Sequence, residues 1–177
     1  MDKFNTLPGN ISGNSLANNI GYVRVIGIDP GLAATGFGII DYCNNSYRYI
    51  THGCITTDSS LSHGARLGII FRDLEILLHK YKPTGASMET LYFAKNVKSA
   101  MPVAEARGVI SFCLDKNNIL LGEYTPLTIK KSVTGTAKAD KALVQNYVKI
   151  LLSLNDVPRP DHAADALAAA ITYVHHF

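Results

Sequence analysis

Cysteine is scarce in this chain of 177 residues. Cys43, Cys54 and Cys113 are odd in number and show no C-x-x-C spacing, which argues against a disulfide framework and against a cysteine-based zinc site. A reducing, cytoplasmic setting is the expectation. Long apolar runs are lacking as well: no stretch reaches the roughly eighteen residues that a membrane span needs. The first twenty residues carry no basic stretch leading into an apolar one, so no secretory signal is expected. Nor is there a strong charge of one sign, since the formal net charge is only +3. Net charge alone therefore names no partner.

What is present suits one packed domain. Apolar residues make up 47% of the chain, enough for a core at this length. Residues 1–20 are Asn-rich with little periodicity and read as a flexible N-terminal extension, with the domain spanning 21–177. Strands are expected at about 23–29, 36–42, 47–56, 85–89 and 119–124. A helix lies between the third and fourth, where Leu67, Ile70, Phe71, Leu74, Leu77, Leu78 and Tyr81 recur at helical spacing. A second helix is expected over about Val97 to Asn117. Its small or flexible residues Val97, Ala100, Met101, Ala104, Gly108 and Ser111 suit helix-helix contact, either within the chain or at a dimer seam. Pro158-Arg159-Pro160 introduces a last helix with Leu167, Ala170, Ile171 and Val174 as its buried stripe. The fold class is mixed α/β.

Three places in this framework carry unexpected charge. In Val25-Ile26-Gly27-Ile28-Asp29-Pro30-Gly31 an apolar strand ends on an aspartate at a Pro-Gly break, which is either ordinary turn chemistry or a carboxylate delivered to the sheet rim. Ala86-Ser87-Met88-Glu89 ends a short inner strand on a glutamate, a residue that strands disfavour unless it reaches solvent or a cation. Asp161, His162 and Asp165 crowd the first turn of the last helix, with His162 and Asp165 on one face. The helix dipole accounts for one carboxylate there, and accounts poorly for His162 unless the imidazole is neutral. Taken together, Asp29, Glu89, His162 and Asp165 form a set whose carboxylates repel unless a cation gathers them. Oxygen-rich ligation points to Mg²⁺, with Mn²⁺ a plausible substitute. Two such ions about 3.5–4 Å apart would suit phosphodiester cleavage.

A polyanionic substrate agrees with the local charge. Between Thr125 and Ile150 stand Lys130, Lys131, Lys138, Lys141 and Lys149 against one acid, Asp140. Alone, such a run is commonly a solvated helix face; beside an acidic cluster it suits a phosphate backbone. Tyr92, Phe93 and Lys95 follow Glu89 in an expected loop, where one ring can stack on bases and the other return to the core.

Five segments in order carry a family resemblance. Gly27-Ile28-Asp29-Pro30-Gly31, Met88-Glu89-Thr90 with Phe93-Ala94-Lys95-Asn96, Ala106-Arg107-Gly108, Lys130-Lys131-Ser132-Val133-Thr134-Gly135, and Asp161-His162-Ala163-Ala164-Asp165-Ala166-Leu167-Ala168 resemble the RuvC-type Holliday-junction resolvases, over roughly Val23 to His175. The resemblance implies an RNase H-like mixed five-stranded sheet flanked by helices, and a homodimer. It further implies Mg²⁺-dependent paired nicking of four-way DNA junctions in recombination and repair, with a branch-migration complex of the RuvA and RuvB type as partner. By position it makes Asp29, Glu89, His162 and Asp165 the catalytic metal-binding set and leaves Asp161 as a supporting or capping residue. Tyr92 falls where the family places a wedging Phe. Lys130 and Lys141 fall on lysines that serve DNA binding or catalysis, and Lys95 and Lys138 are further DNA-contact candidates. His162 departs from the several relatives that carry Asp there. Two other readings compete: an actin- or hexokinase-like phosphotransferase, which needs a second lobe, and a non-catalytic nucleic-acid-binding module.

Overall fold

The structure, a computed structural model, describes residues 22–91 and 97–176. The expected N-terminal extension lies outside the described residues, as do Tyr92 and Lys95. Five strands form one sheet: β1 (Val23–Asp29), β2 (Ala34–Cys43), β3 (Ser46–Thr56), β4 (Gly85–Glu89) and β5 (Leu120–Tyr124). Their spatial order is β3-β2-β1-β4-β5. β1, β2 and β3 pair as an antiparallel meander, whereas β4 lies parallel to β1 and β5 parallel to β4. The resulting sheet is the mixed five-stranded one expected. β2 starts two residues earlier than its pattern suggests, because the Thr35 hydroxyl donates to the Gly31 carbonyl at 2.7 Å and closes the Pro-Gly turn inside the hairpin.

Five helices cover the sheet: α1 (His63–Tyr81), α2 (Val97–Lys116), α3 (Pro126–Thr134), α4 (Lys141–Leu151) and α5 (Asp161–His176). Ile70, Leu74 and Leu78 of α1 join Ala106, Ile110, Cys113 and Leu114 of α2 in one apolar layer beneath Ile26, Ile28, Ile39 and Met88. The small-residue face expected of α2 is not the one packed there; Met101 and Gly108 are exposed to solvent. The second layer lies across the other face, where Leu167, Ala170 and Ile171 of α5 meet Val25 and Ile40 together with Ile129, Val133, Val144 and Val148 of α3 and α4.

The lysine-rich stretch thus folds as two short helices, which its charge had obscured. Local signals for both were present. Thr125 caps α3 by accepting from Thr128 N–H, Pro126 opens it, and Gly135 ends it in the left-handed region at φ 79°. Asp140 caps α4 by accepting from Leu143 N–H at 2.8 Å.

α5 determines where the sheet ends meet. It carries Ala163, Ala164, Ala166, Ala168, Ala169 and Ala170, all buried, so its axis can sit close to the strands and its helix propensity is high. Beneath it the strands are also stripped of side chains. A Cβ on Gly27 would stand 1.8 Å from the Ala166 carbonyl oxygen, and one on Gly36 would stand 2.1 Å from that of His162. Ser87 ties the same helix to β4 by donating to the Ala169 carbonyl at 2.7 Å. Across β1, β2 and β3, buried Asp41 accepts from Arg24 Nε at 2.6 Å and Nη2 at 2.9 Å, and from Arg48. Gly27→Ala is therefore expected to force α5 off β1 and to cost about 1–3 kcal/mol or more, read as a fall of several degrees in melting temperature. An unchanged melting temperature would mean that the helix is not seated as tightly as its backbone contacts indicate.

Candidate active site

Three element ends converge at one edge of the sheet. β1 and β4 are parallel neighbours, so both deliver their last residue, Asp29 and Glu89, to the same rim. Asp29 and Gly27 are two apart and point to the same sheet face, the one that α5 covers. Seating α5 over Gly27 and Gly36 then places its first turn, with His162 and Asp165, against the end of β1. All four residues of the expected set are thereby brought to one edge.

Their contacts are specific. His162 Nδ1 meets Asp29 Oδ2 at 2.6 Å, an imidazole N–H donating to a carboxylate, so Nε2 is the ring nitrogen left pointing elsewhere. Lys141, the first residue of α4, donates from Nζ to Asp165 Oδ2 at 3.1 Å and lies 3.4 Å from Asp161 Oδ2. Glu89 and Asp165 line a common cleft of about 250 Å³ with Pro126, Ile129, Lys130, Lys141, Val144 and Ala168. Among the described residues no three His, Cys, Asp or Glu side chains stand close enough to share one metal ion in this arrangement. The protein's own donors cover Asp29 and Asp165 instead.

The electrostatics are those of crowded carboxylates. Burial raises the Asp29 pKa above the ordinary aspartate value, the hydrogen bond from His162 opposes the rise, and the charge of Asp165 adds to it. Burial likewise raises Glu89, reinforced by the charges of Asp29 and Asp165 and opposed by Arg107 and Lys130. For Lys141, burial works against the charged form, but the hydrogen bond and charge of Asp165 outweigh it and the ammonium is held more firmly protonated. Asp161 moves the other way, lowered chiefly by the charge of Lys141. It also accepts from Arg159 Nη1 at 2.9 Å.

The lysines divide. Lys130 and Lys141 line the cleft. Lys138 is exposed on the segment between α3 and α4, and Lys131 faces a different hollow, beside Leu127, His175 and His176. One face of α3 thus serves the acidic cleft, and the run does not act as a single patch.

Several residues that shape the site gave little warning in the sequence. His52 of β3 lies 3.1 Å through Nε2 from the Arg159 carbonyl, with the Tyr49 hydroxyl 2.9 Å from its Nδ1, so the outer strand braces the segment that opens α5. Arg107 of α2 donates to the Glu89 carbonyl and to the Glu123 carboxylate. Only long-range pairing brings these groups together, across 107 residues for His52 and Arg159, and no local pattern announces it.

Comparison with known proteins agrees with this architecture. The family model described as crossover junction endodeoxyribonuclease RuvC matches residues 25–173. A protein of Treponema denticola named crossover junction endodeoxyribonuclease RuvC is 55% identical over 150 residues, covering 85% of this chain and 84% of that protein. One of the same name from Fusobacterium nucleatum is 45% identical over 152 residues, covering 86% and 80%. Among solved structures, Thermus thermophilus RuvC in complex with Holliday junction substrate superposes with a TM-score of 0.83 at 28% identity, covering 87% of this chain and 94% of that one. The yeast mitochondrial Holliday junction resolvase Ydc2 shares the fold at a TM-score of 0.62 and 13% identity. Neither a two-lobed phosphotransferase nor a non-catalytic binding module fits these matches. A single RNase H-like sheet, two acidic strand ends meeting the first turn of α5, and a family match spanning almost all of the described residues place this chain in the RuvC family of crossover junction endodeoxyribonucleases.

Proposed function

We propose that Asp29, Glu89, His162 and Asp165 are the metal-binding catalytic set with which this chain nicks four-way DNA junctions. The observation that carries the reading is their arrival at one rim from three separate elements, beside a cleft that Lys130 and Lys141 share. Three carboxylates and one imidazole suit a hard divalent ion, Mg²⁺ with Mn²⁺ as substitute and two ions to the site, since raised carboxylates in mutual repulsion gain most from a cation. When bound, the metal supplies charge neutralisation and an activated water for phosphodiester hydrolysis.

The chain's own residues do the rest. His162 orients Asp29 through its Nδ1 contact and would offer its other ring nitrogen to the metal, a donor that favours Mn²⁺ more than oxygen does. Lys141 and Lys130 stand where a phosphodiester backbone would run along the cleft. Tyr92, from its place in the sequence just beyond Glu89, is the candidate for stacking on bases at the crossover. Lys95 and Lys138 extend the backbone contact. The molecule works as a homodimer, one active site for each of two paired nicks, in the cytoplasm and alongside a branch-migration complex of the RuvA and RuvB type.

Two outcomes test the site. Asp29→Asn keeps shape and removes ligand charge; it should bind a synthetic four-way junction within about twofold of wild type while losing cleavage by roughly 10²-fold or more. Undiminished nicking with added Mg²⁺ would remove Asp29 from the set. For Glu89, the folded-state pKa lies above the unfolded one. Between those two pH values the folded chain holds more protons than the unfolded chain, so stability falls as pH rises through the window, and above it the charged carboxylate is a net cost. Glu89 opens to the cleft, so solvent screens part of the effect. Glu89→Gln should therefore melt above wild type at pH 8 in chelator, with the difference shrinking as pH falls through the raised pKa. A variant melting below wild type at pH 8 would show that the carboxylate is favourably placed without a cation.

A further inference from the structure

The carboxyl end of β4 is held unevenly. Its ladder with β1 stops at Ile28 and Met88, one residue before Glu89, while on the other side Glu89 pairs with Tyr124 of β5 and Thr90 N–H donates to the Tyr124 carbonyl at 2.8 Å. On the β1 side the ladder thus ends short of Glu89. The Glu89 side chain points to the α5 face with Ser87, and Met88 with its register partner Glu123 points to the α2 face. From that second face Arg107 sends Nη1 to the Glu89 carbonyl and Nη2 to a Glu123 carboxylate oxygen. Its side chain is only 15% exposed, against 47% for Glu123. A covered guanidinium is thus aimed at the backbone of the very residue whose carboxylate faces the cleft.

We propose that Arg107 is a positioning residue for the metal site, fixing the direction in which Glu89 enters the cleft by clamping the Glu89 carbonyl, with Glu123 orienting the clamp. The two donors of one planar guanidinium are what the task needs: one holds the strand end and the other is locked by a carboxylate, an arrangement that a lysine's single ammonium cannot reproduce. Arg107 meets Glu89 through the carbonyl from the face opposite the cleft, so it acts through Glu89. Groups that orient a ligand in this way typically contribute roughly 10–100-fold to metal affinity or activity, because a small angular error at the carboxylate is enough to lose the ion.

The inference rests on Glu89 being a metal ligand, and the experiment separates the two. Full-length wild type, Glu89→Gln, Arg107→Gln, Arg107→Lys and Glu123→Gln are titrated with Mn²⁺, with free ion read by electron paramagnetic resonance, and junction cleavage is measured against Mn²⁺ concentration. Arg107→Gln is expected to weaken Mn²⁺ binding roughly 10–100-fold, with cleavage at saturating Mn²⁺ recovering to within a few-fold of wild type. Arg107→Lys should fall between the two, and Glu123→Gln should shift affinity in the same direction with little change in melting temperature. If Glu89→Gln loses Mn²⁺ and Arg107→Gln binds it as wild type does, the clamp is overturned and the ligand stands. If Glu89→Gln itself binds Mn²⁺ normally, the ligand assignment falls and the clamp with it. Should Arg107→Gln fail to fold, Glu123→Gln decides: a folded protein with weakened Mn²⁺ binding supports the clamp, and one with unchanged affinity overturns it.

Discussion

The close seating of α5 on the bare backbone of β1 and β2 is the constraint from which the rest of this molecule follows. A side chain at Gly27 or Gly36 would run into the main chain of the helix at Ala166 or His162, not into a movable side chain. Close packing tolerates no such overlap. The alanines of α5 are the complement of those glycines, and the first turn of the helix consequently reaches the rim where the parallel strands end. Were the helix held off by ordinary side chains, His162 could not contact Asp29, and Asp165 would not share a cleft with Glu89. Packing sets the geometry here, and the chemistry uses what packing leaves.

This arrangement stores electrostatic cost at the rim. Asp29 and Glu89 are both raised by burial and by neighbouring carboxylate charge, and the groups that relieve them, His162, Arg107 and Lys130, come from three different helices. Lys141, from a fourth, covers Asp165. Each of these four helices therefore contributes a proton donor or a cation to the carboxylates that β1, β4 and α5 deliver. Perturbed groups concentrated in a cleft are a mark of a functional site, and a cation bound there, as proposed above, would return the free energy that they withhold from folding.

The legible part of this fold was the part written in local pattern. Alternation and Pro-Gly breaks located all five strands to within two residues, and the Leu67 to Tyr81 stripe located α1. The acidic and imidazole set could be assembled because each member ends a strand or opens a helix, positions where such residues are locally out of place. What stayed hidden depends on partners distant in the chain. α3 and α4 lie inside a lysine run whose charge masks their helical period, and only Thr125, Gly135 and Asp140 mark their bounds. Arg107 acquires its contacts only where β4 and β5 run beside α2, which no local pattern encodes. The small face of α2 suited packing by composition, yet Ala106, Ile110 and Cys113 on another face fill the core, since size alone does not say which side of a helix meets the sheet.

Helix seating on the strand glycines is what assembles the proposed active site. Gly36→Ala tests it most directly, because the added methyl meets the His162 carbonyl and touches no proposed ligand side chain beyond the His162 Cβ. The measurement is single-turnover cleavage of a four-way junction at saturating Mg²⁺, on protein whose circular dichroism and cooperative melting show it folded. A loss of roughly 10²-fold in rate is expected, the cost of a misplacement of about 1 Å, with junction binding retained. Cleavage by folded Gly36→Ala at the wild-type rate would contradict it.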